Sequence, residues 1–356
     1  MVKNKAFSTL PTDAADRPAR YGFLLLPGFP LMSYAAAVEP LRAANAISGR
    51  TLYLWRHVSF DGNPLTASNG IVFPFDDRLS PDLELDALFV CAGGNPAQFD
   101  HPLTFAALRG LAHRGIPIGG MSGGSYVLAH AGLLEGRRCT IHWEHIPAFV
   151  EEFPDLKVER TLFVVDRNRI TCAGGLASFD MMIELIARAH GTDLSAAVSE
   201  WYLHTRTRLG TDSQRMALRE RTGITNEHVL KTLAAMEAHL ENPLSRHALA
   251  KYAGITLRQL ERLFAAHLGT TIARRYSDIR LDRARQLLKQ STLSVAEVAV
   301  ACGFVSTSHF SKAYKTRFGL RPRQERNFSL APYLPGPPTV SYKETKRLDR
   351  KNRHEG

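Results

Sequence analysis

The stretch that decides the fold is a pattern that occurs twice, as LAKYAGIT at residues 249–256 and as VAVACGFV at residues 298–305. Each copy has an apolar residue, then Ala, then Gly four positions after the Ala, then another apolar residue. The small Ala lets two helices approach closely, and Gly accepts the positive φ of a tight turn between them. The pattern therefore predicts two helix-turn-helix motifs.

A capped helix is predicted after each turn. Thr256 and Ser306 are suitable N-caps, and the runs 257–264 and 307–318 repeat apolar residues at helical spacing. A longer helix, predicted at 276–290, would fix the separation of these two recognition helices. The alternative is a basic helical bundle without a nucleic-acid partner, but two copies of the motif favour DNA binding.

The outer faces of the predicted helices carry Arg, Gln, Ser, Thr and Lys, which are side chains that reach base edges and phosphates. The residues predicted to read bases are Arg258, Gln259, Arg262, Thr307, Ser308 and Lys312, and Ser306 is also predicted to contact DNA. The residues predicted to meet phosphates are Arg280, Arg283, Lys315 and Arg326.

Two runs in this region carry a resemblance to a known family. GFVSTSHFSKAY at 303–314 with FGLRP at 318–322, and RQLERLF at 258–264, closely resemble the signature of AraC/XylS-type transcription regulators. The resemblance implies an all-helical domain in which two recognition helices enter successive major grooves on one face of double-stranded DNA.

Composition limits the alternatives. A chain of 356 residues with 44% apolar residues is long enough for two domains with full cores. No apolar run is long enough to span a membrane, and no apolar segment follows Met1, so we expect a cytoplasmic protein without a membrane partner. The four Cys are far apart and form no C-x-x-C pair, so we expect no metal, cofactor or disulfide.

Positive charge is concentrated in the region of the repeated motif. Residues 226–330 hold 17 Lys and Arg against 8 Asp and Glu, whereas residues 1–225 carry a net charge of −1. This distribution is typical of a phosphate-binding domain joined to a nearly neutral one. We predict a flexible arm at 1–19, an α/β domain at 20–204, a linker at 205–225, a DNA-binding domain at 226–328 and a disordered basic tail at 329–356.

The α/β domain is predicted from short apolar runs that alternate with helical segments. The predicted strands are 21–26, 53–60, 71–73, 87–91 and 116–121, with a hairpin at 162–172 and helices at 31–45, 105–114 and 178–189. This alternation predicts a doubly wound parallel sheet, in which ligands bind outside the carboxyl ends of the strands.

Residues 120–124 match G-x-S-x-G, the nucleophile elbow of serine hydrolases, between a predicted strand and a predicted helix. That chemistry needs an acid and then a His later in the chain, and His142 comes before any suitable acid. A tight turn that permits close packing explains the same residues. We therefore expect no catalysis at Ser122.

A second resemblance covers the same region. GGMSGGSYVLAHAGLLEGR at 119–137 and TIHW at 140–143 look like the elbow region of class I glutamine amidotransferase-like (PfpI-type) domains, especially those fused to AraC-type domains. In enzymes of that superfamily a cysteine stands at the position of Ser122, and an acidic residue often lies on the first loop. Residues 29–33 contain no carboxylate, so the resemblance implies a pocket that binds without reacting.

AVEPLRAAN at 37–45, LYLW at 52–55 and DRNR at 166–169 resemble regulators of glycine betaine and carnitine catabolism. The resemblance implies a ligand with a carboxylate and an ammonium. Glycine N–H groups and a helix N-terminus suit the carboxylate, and an aromatic face suits the ammonium. The candidate aromatic residues are Phe29, Tyr34 and Trp143, although core packing explains them equally well. The predicted ligand contacts are Gly28, Phe29, Ser33, Gly93, Gly94, Ser122, Gly123, His142, Trp143 and Gly174.

Together these patterns predict a transcription regulator, an activator of a catabolic operon, that responds to a small-molecule effector. We expect it to act as a homodimer and to contact RNA polymerase. Two alternatives stay open: a bifunctional regulator with hydrolase or amidase activity at Ser122, and an architectural DNA-binding protein without a ligand.

Overall fold

The computed structural model describes residues 17–330 and places side chains as far as residue 326. The predicted arm at 1–19 and the predicted tail at 329–356 lie almost wholly outside the described residues. Within the described residues, no helix combines the length and the apolarity that crossing a bilayer requires.

The first domain is built on a central sheet of seven strands, with two small sheets beside it. The strands are β1 (Ala19–Leu25), β2 (Tyr53–Ser59), β3 (Leu65–Thr66), β4 (Val72–Phe73), β5 (Asp77–Arg78), β6 (Ala87–Ala92), β7 (Ile118–Ser122), β8 (Arg138–Cys139), β9 (Lys157–Val158), β10 (Phe163–Asp166) and β11 (Arg169–Cys172). The central order is β10-β11-β7-β6-β1-β2-β5, and only β10 is antiparallel to its neighbour. The prediction of a doubly wound parallel sheet is confirmed.

Helices cover both faces of this sheet. They are α1 (Leu31–Ser48), α2 (Pro102–His113), α3 (Gly124–His130), α4 (Ile146–Glu152), α5 (Ala177–His190) and α6 (Thr192–Trp201). Alternate residues of β1 serve opposite cores: Phe23 and Leu25 pack toward α1 and α5, whereas Leu24 packs with α2 and α3. A strand that is buried on both faces has apolar residues at consecutive positions, which is why β1 could be predicted from the sequence.

The segment predicted as a linker, 205–225, is in large part a component of the α/β domain. Backbone N–H groups of Leu162 and Phe163 donate to the carbonyls of Asp212 (3.1 Å) and Gly210 (3.3 Å), so the segment covers the open edge of β10. Arg208 also pairs at 2.7 Å with Asp180, whose carboxylate is fully buried. The polar residues that suggest a linker therefore form hydrogen bonds and an ion pair with residues of the α/β domain.

The second domain is entirely helical. Its helices are α7 (Leu218–Thr222), α8 (Glu227–Ala238), α9 (Arg246–Ala253), α10 (Leu257–Leu268), α11 (Ile272–Gln290), α12 (Val295–Ala301), α13 (Thr307–Phe318) and α14 (Pro322–Leu330). Helices α9 and α10 form the first motif, and α12 and α13 form the second. Both predicted N-caps are confirmed, because Thr256 accepts from the Gln259 N–H and Ser306 accepts from the His309 N–H.

Two apolar cores divide this domain, and α11 belongs to both. Ile272 and Tyr276 pack with α8, α9 and α10, whereas Leu281 and Leu288 pack with α12 and α13. The second of these cores is continuous with the α2–α3–α4 side of the α/β domain. The second helix-turn-helix motif is therefore docked on the first domain, through α4 and α11.

Candidate effector site and DNA-reading surface

Ser122 occupies a strained turn at the carboxyl edge of the sheet. It ends β7, its φ is 57°, and its side chain is almost fully buried. A non-glycine residue in the left-handed region carries roughly 1–3 kcal/mol of strain, which surrounding structure must offset. The G-x-S-x-G pattern thus has the backbone geometry of an elbow.

Three loops converge on Ser122. A Cβ placed on Gly174 would lie 2.6 Å from the Ser122 Cβ and 2.8 Å from the Ser33 Oγ. The Gly175 N–H donates to the Ser33 Oγ at 2.7 Å, which fixes the start of α1 against the start of α5. The structure therefore brings together three of the predicted contacts, Ser33, Ser122 and Gly174. The lack of a side chain at position 174 makes their approach sterically feasible.

The remaining loop glycines lie at the same edge. A Cβ on Gly93 would be 2.5 Å from the Gly28 carbonyl oxygen, so the loop after β6 contacts the loop after β1. A Cβ on Gly123 would be 2.7 Å from Pro96, whereas Gly94 faces open space. These glycines shape the wall of the site by close backbone approach.

Two of the predicted aromatic contacts have other roles. Phe29 is fully buried and packs edge-on against Tyr34, so it is a core residue and offers no face to a ligand. The Trp143 ring is half-buried, and the Arg215 guanidinium lies 4.6 Å from its centroid. The protein itself therefore supplies a cation for one face of Trp143.

His142 contacts Ser122 through backbone atoms. Its N–H donates to the Ser122 carbonyl oxygen at 3.3 Å, while its ring lies 3.8 Å from Glu144. Burial lowers the pKa of His142 below its ordinary value although Glu144 opposes this, so the ring is neutral at pH 7. Within residues 17–326, no hydrogen bond joins the Ser122 hydroxyl to a histidine.

Cys172 is the thiol beside the elbow. It accepts a hydrogen bond from the Gly174 N–H at 3.2 Å and lies 3.4 Å from the Ser178 hydroxyl. Burial raises the pKa of the Cys172 thiol, and these hydrogen bonds only partly oppose that effect. The thiol is therefore protonated at neutral pH and lacks the reactivity of a thiolate.

The loops that flank Ser122 also hold the long helix of the second domain. Asn95, beside the Pro96–Gln98 3-10 helix, donates to the Lys289 carbonyl oxygen at 2.9 Å. On the other flank, the buried His145 lies beside Gln290 of α11. The pattern of either domain alone gave no signal for Asn95, His145 or Gln290, because their role exists only once the domains are docked.

Helices α10 and α13 present the predicted DNA contacts to solvent. The exposed residues are Arg258, Gln259, Arg262, Ser306, Thr307, Ser308, Lys312 and Lys315. Two of them also stabilise the helices, since the side-chain Oε1 of Gln259 accepts from the Thr256 N–H at 3.0 Å and Ser306 is an N-cap. Gln259 therefore has only its NH₂ group available for a base.

Arg280 and Arg283, both predicted to meet phosphates, are half-buried in the structure. Arg280 donates to the carbonyl oxygens of Cys302 (2.6 Å) and Gly303 (2.5 Å), so it closes the turn of the second motif. Arg283 lies in a cleft between the two domains. The basic pattern of α11 did not show which of its arginines face the α/β domain.

A doubly wound domain with a serine elbow, joined to two helix-turn-helix motifs with basic and polar recognition helices, defines a two-domain DNA-binding regulator. A helix-turn-helix domain profile matches residues 249–327, and a DJ-1/PfpI family profile matches residues 22–188. The chain belongs to the HTH-type transcriptional regulators that combine a DJ-1/PfpI-like domain with an AraC-type DNA-binding domain.

Three known proteins are similar to this chain, and the first two cover most of it. The HTH-type transcriptional regulator CdhR of Pseudomonas aeruginosa is 47% identical over 86% of this chain and 91% of its own length. GlxA of Rhizobium meliloti is 45% identical over 87% of this chain and 96% of its own length. A solved AraC family regulator from Pseudomonas putida is 29% identical over 52% of this chain and 100% of that chain, with a TM-score of 0.48.

Proposed function

We propose that this protein is an effector-responsive transcription activator whose α/β domain binds a small metabolite around Ser122. The observation that supports this best is that the loops flanking the elbow also contact α11. Asn95 donates to the Lys289 carbonyl oxygen, and His145 lies beside Gln290. A ligand that shifts either loop therefore acts on α11, the helix that connects the two motifs. Such a ligand favours whichever domain arrangement it binds more tightly.

The effector we propose is a small amino-acid-like or quaternary ammonium metabolite. Its polar contacts are the hydroxyls of Ser33 and Ser122 and the backbone around Gly93, Gly94 and Gly174. Phe29 is excluded as a cation partner by its burial. The full regulator acts as a homodimer on two half-sites and contacts RNA polymerase.

We propose further that the α/β domain is not catalytic. The elbow carries a hydroxyl without a histidine partner in the described residues, and the neighbouring Cys172 is a protonated thiol. We therefore expect the unsubstituted protein to have no esterase or amidase activity, so Ser122→Ala should change nothing in either assay. An esterase or amidase rate that this substitution abolished would establish the bifunctional alternative.

Effector binding is tested by a thermal-shift screen of glycine betaine, carnitine, choline and arginine, followed by calorimetry on the full chain. Ser122→Ala should weaken binding of the active compound about ten-fold, because it removes one hydrogen bond to a charged group. Ser48→Ala, at the far end of α1, is the matched control and should leave affinity unchanged. Equal effects of both substitutions would place the effector elsewhere.

A further inference from the structure

A cleft of about 310 Å³ lies at the junction of the two domains, and its lining does not include Ser122. Five separate parts of the chain form its walls, and one of them is α8, which contributes Glu237. Trp143 and Arg160 come from the α/β domain, Arg215 from the segment before α7, Arg221 from α7, and Arg283 from α11. The cleft therefore exists only while α11 is docked on the α/β domain.

The lining is strongly cationic. Its four arginines face a single lining carboxylate, that of Glu237, and Arg221 already binds it at 3.2 Å. Within the described side chains, the guanidinium groups of Arg160, Arg215 and Arg283 form neither a hydrogen bond nor a salt bridge. Arg215 lies over the Trp143 ring, as described above.

Burial and neighbouring positive charges lower the pKa of two of these arginines. Burial lowers the pKa of Arg283 to about 10, and Arg160 contributes to the shift, while Cys302 and Glu151 only partly oppose it. Burial also lowers the pKa of Arg215, with a further contribution from Arg221. With a pKa of about 10, Arg283 stays protonated at neutral pH. Converging cations in a partly enclosed cleft concentrate positive potential there.

We propose that this cleft binds a small multivalent oxyanion, such as phosphate or a polycarboxylate, between Arg160, Arg215 and Arg283. Guanidinium groups bind such oxyanions through two parallel N–H···O hydrogen bonds each, which supplies the partners that these side chains lack. The site is separate from the effector site at Ser122, and the inference does not depend on it.

Occupancy has a structural consequence. The three guanidinium groups belong to the α/β domain, the connecting segment and α11, so one bound anion would hold all three together. An anion that binds only the docked arrangement stabilises that arrangement in proportion to its concentration over its Kd. The proposed ligand is thus a second signal, which acts on the position of the second helix-turn-helix motif.

The test uses the full chain with Trp55→Phe and Trp201→Phe, which leaves Trp143 as the sole tryptophan of the three in the sequence. Its emission is titrated with inorganic phosphate, and separately with citrate, at constant ionic strength. We expect a saturable change with at least one anion. Arg283→Gln should raise the midpoint about ten-fold, the effect of losing one charge-assisted contact.

Three further variants make the result specific. Arg138→Gln removes an arginine that lines a different cavity and pairs with Glu159, and it should leave the midpoint unchanged. Arg283→Lys keeps the charge without the planar fork and should give an intermediate midpoint. Ser122→Ala should not alter the anion titration.

Several outcomes would overturn the inference. An emission change that never saturates, or that Arg138→Gln weakens as much as Arg283→Gln does, would show only non-specific screening. Loss of the response in Ser122→Ala would place the anion in the effector site. Far-UV circular dichroism of each variant establishes that the fold is intact. If Arg283→Gln does not fold, Arg160→Gln, at an exposed side chain, provides the same comparison.

Discussion

At the scale of single residues, the two turn glycines have the same backbone conformation and different surroundings. Gly254 has a φ of 72° and Gly303 a φ of 70°. A Cβ on Gly254 would meet nothing within 4 Å, whereas a Cβ on Gly303 would lie 2.5 Å from the Leu240 carbonyl oxygen and 2.7 Å from that of Glu241. Gly303 therefore packs the second turn against the connection between α8 and α9.

Alanine at these positions should separate backbone strain from steric clash. Gly254→Ala adds only left-handed strain, about 1–2 kcal/mol. Gly303→Ala adds that strain and overpacking of about 1–3 kcal/mol against backbone that cannot rotate away. Urea unfolding of the full chain measures both losses. If the two variants were equally stable, the contact of Gly303 with Leu240 would be absent in solution.

At the scale of elements, we expect both α10 and α13 to contact DNA. Arg262 is exposed on α10 and forms no salt bridge in the described chain, so we expect it to contact a base edge. Arg262→Ala should relax the preference for one base at one position of each half-site, with a loss of about 1–3 kcal/mol on the preferred sequence. Selection from random DNA with both proteins measures this, and an unchanged selected motif would contradict it.

Lys315 of α13 should contact a phosphate. Lys315→Ala is then expected to weaken binding to all sequences alike and to reduce the slope of log K against log salt by about one. Lys231→Ala, an exposed lysine on α8 outside both recognition helices, is the control and should leave the slope unchanged. Fluorescence anisotropy over a salt series measures both slopes, and identical slopes would remove Lys315 from the interface.

How far the sequence predicts these elements depends on the range of the interactions involved. The turn glycines, the N-caps and the strand runs are local patterns, so the predicted positions of α13 and β6 agree with the structure within one residue. The elbow at Ser122 is equally local. The roles of Arg280 and Arg283 depend on which face of α11 meets another part of the chain, and helical periodicity does not contain that information.

At the scale of the whole molecule, the docked interface carries a buried histidine. His145 is 5% exposed, and its Nδ1 and the Gln290 Oε1 both lack a hydrogen-bond partner among the described side chains. Burial, with a smaller contribution from His142, lowers the pKa of His145 to about 3 from its ordinary 6.5. The folded chain thus keeps this ring neutral across the range in which an unfolded chain protonates it.

This shift has a definite sign. As the pH falls below 6.5, the unfolded state takes up a proton that the folded state does not, so stability declines until the pH approaches 3. Between pH 7.5 and pH 5.5, His145 should contribute a loss of about 1.4 kcal/mol. His145→Gln removes that contribution, and urea unfolding at the two pH values measures the difference. An unchanged pH dependence in the variant would show that His145 is solvated.

The two cores that share α11 limit how this protein can be recombined with its relatives. A chimaera that joins this α/β domain to a foreign reading domain at residue 217 would replace Leu281 and Leu288, whose side chains complete an apolar core that begins in α4. Whether the two joined domains pack together would then depend on about three turns of α11, and hardly at all on the length of the junction. Chimaeras should fold when α4 and α11 both come from the same protein.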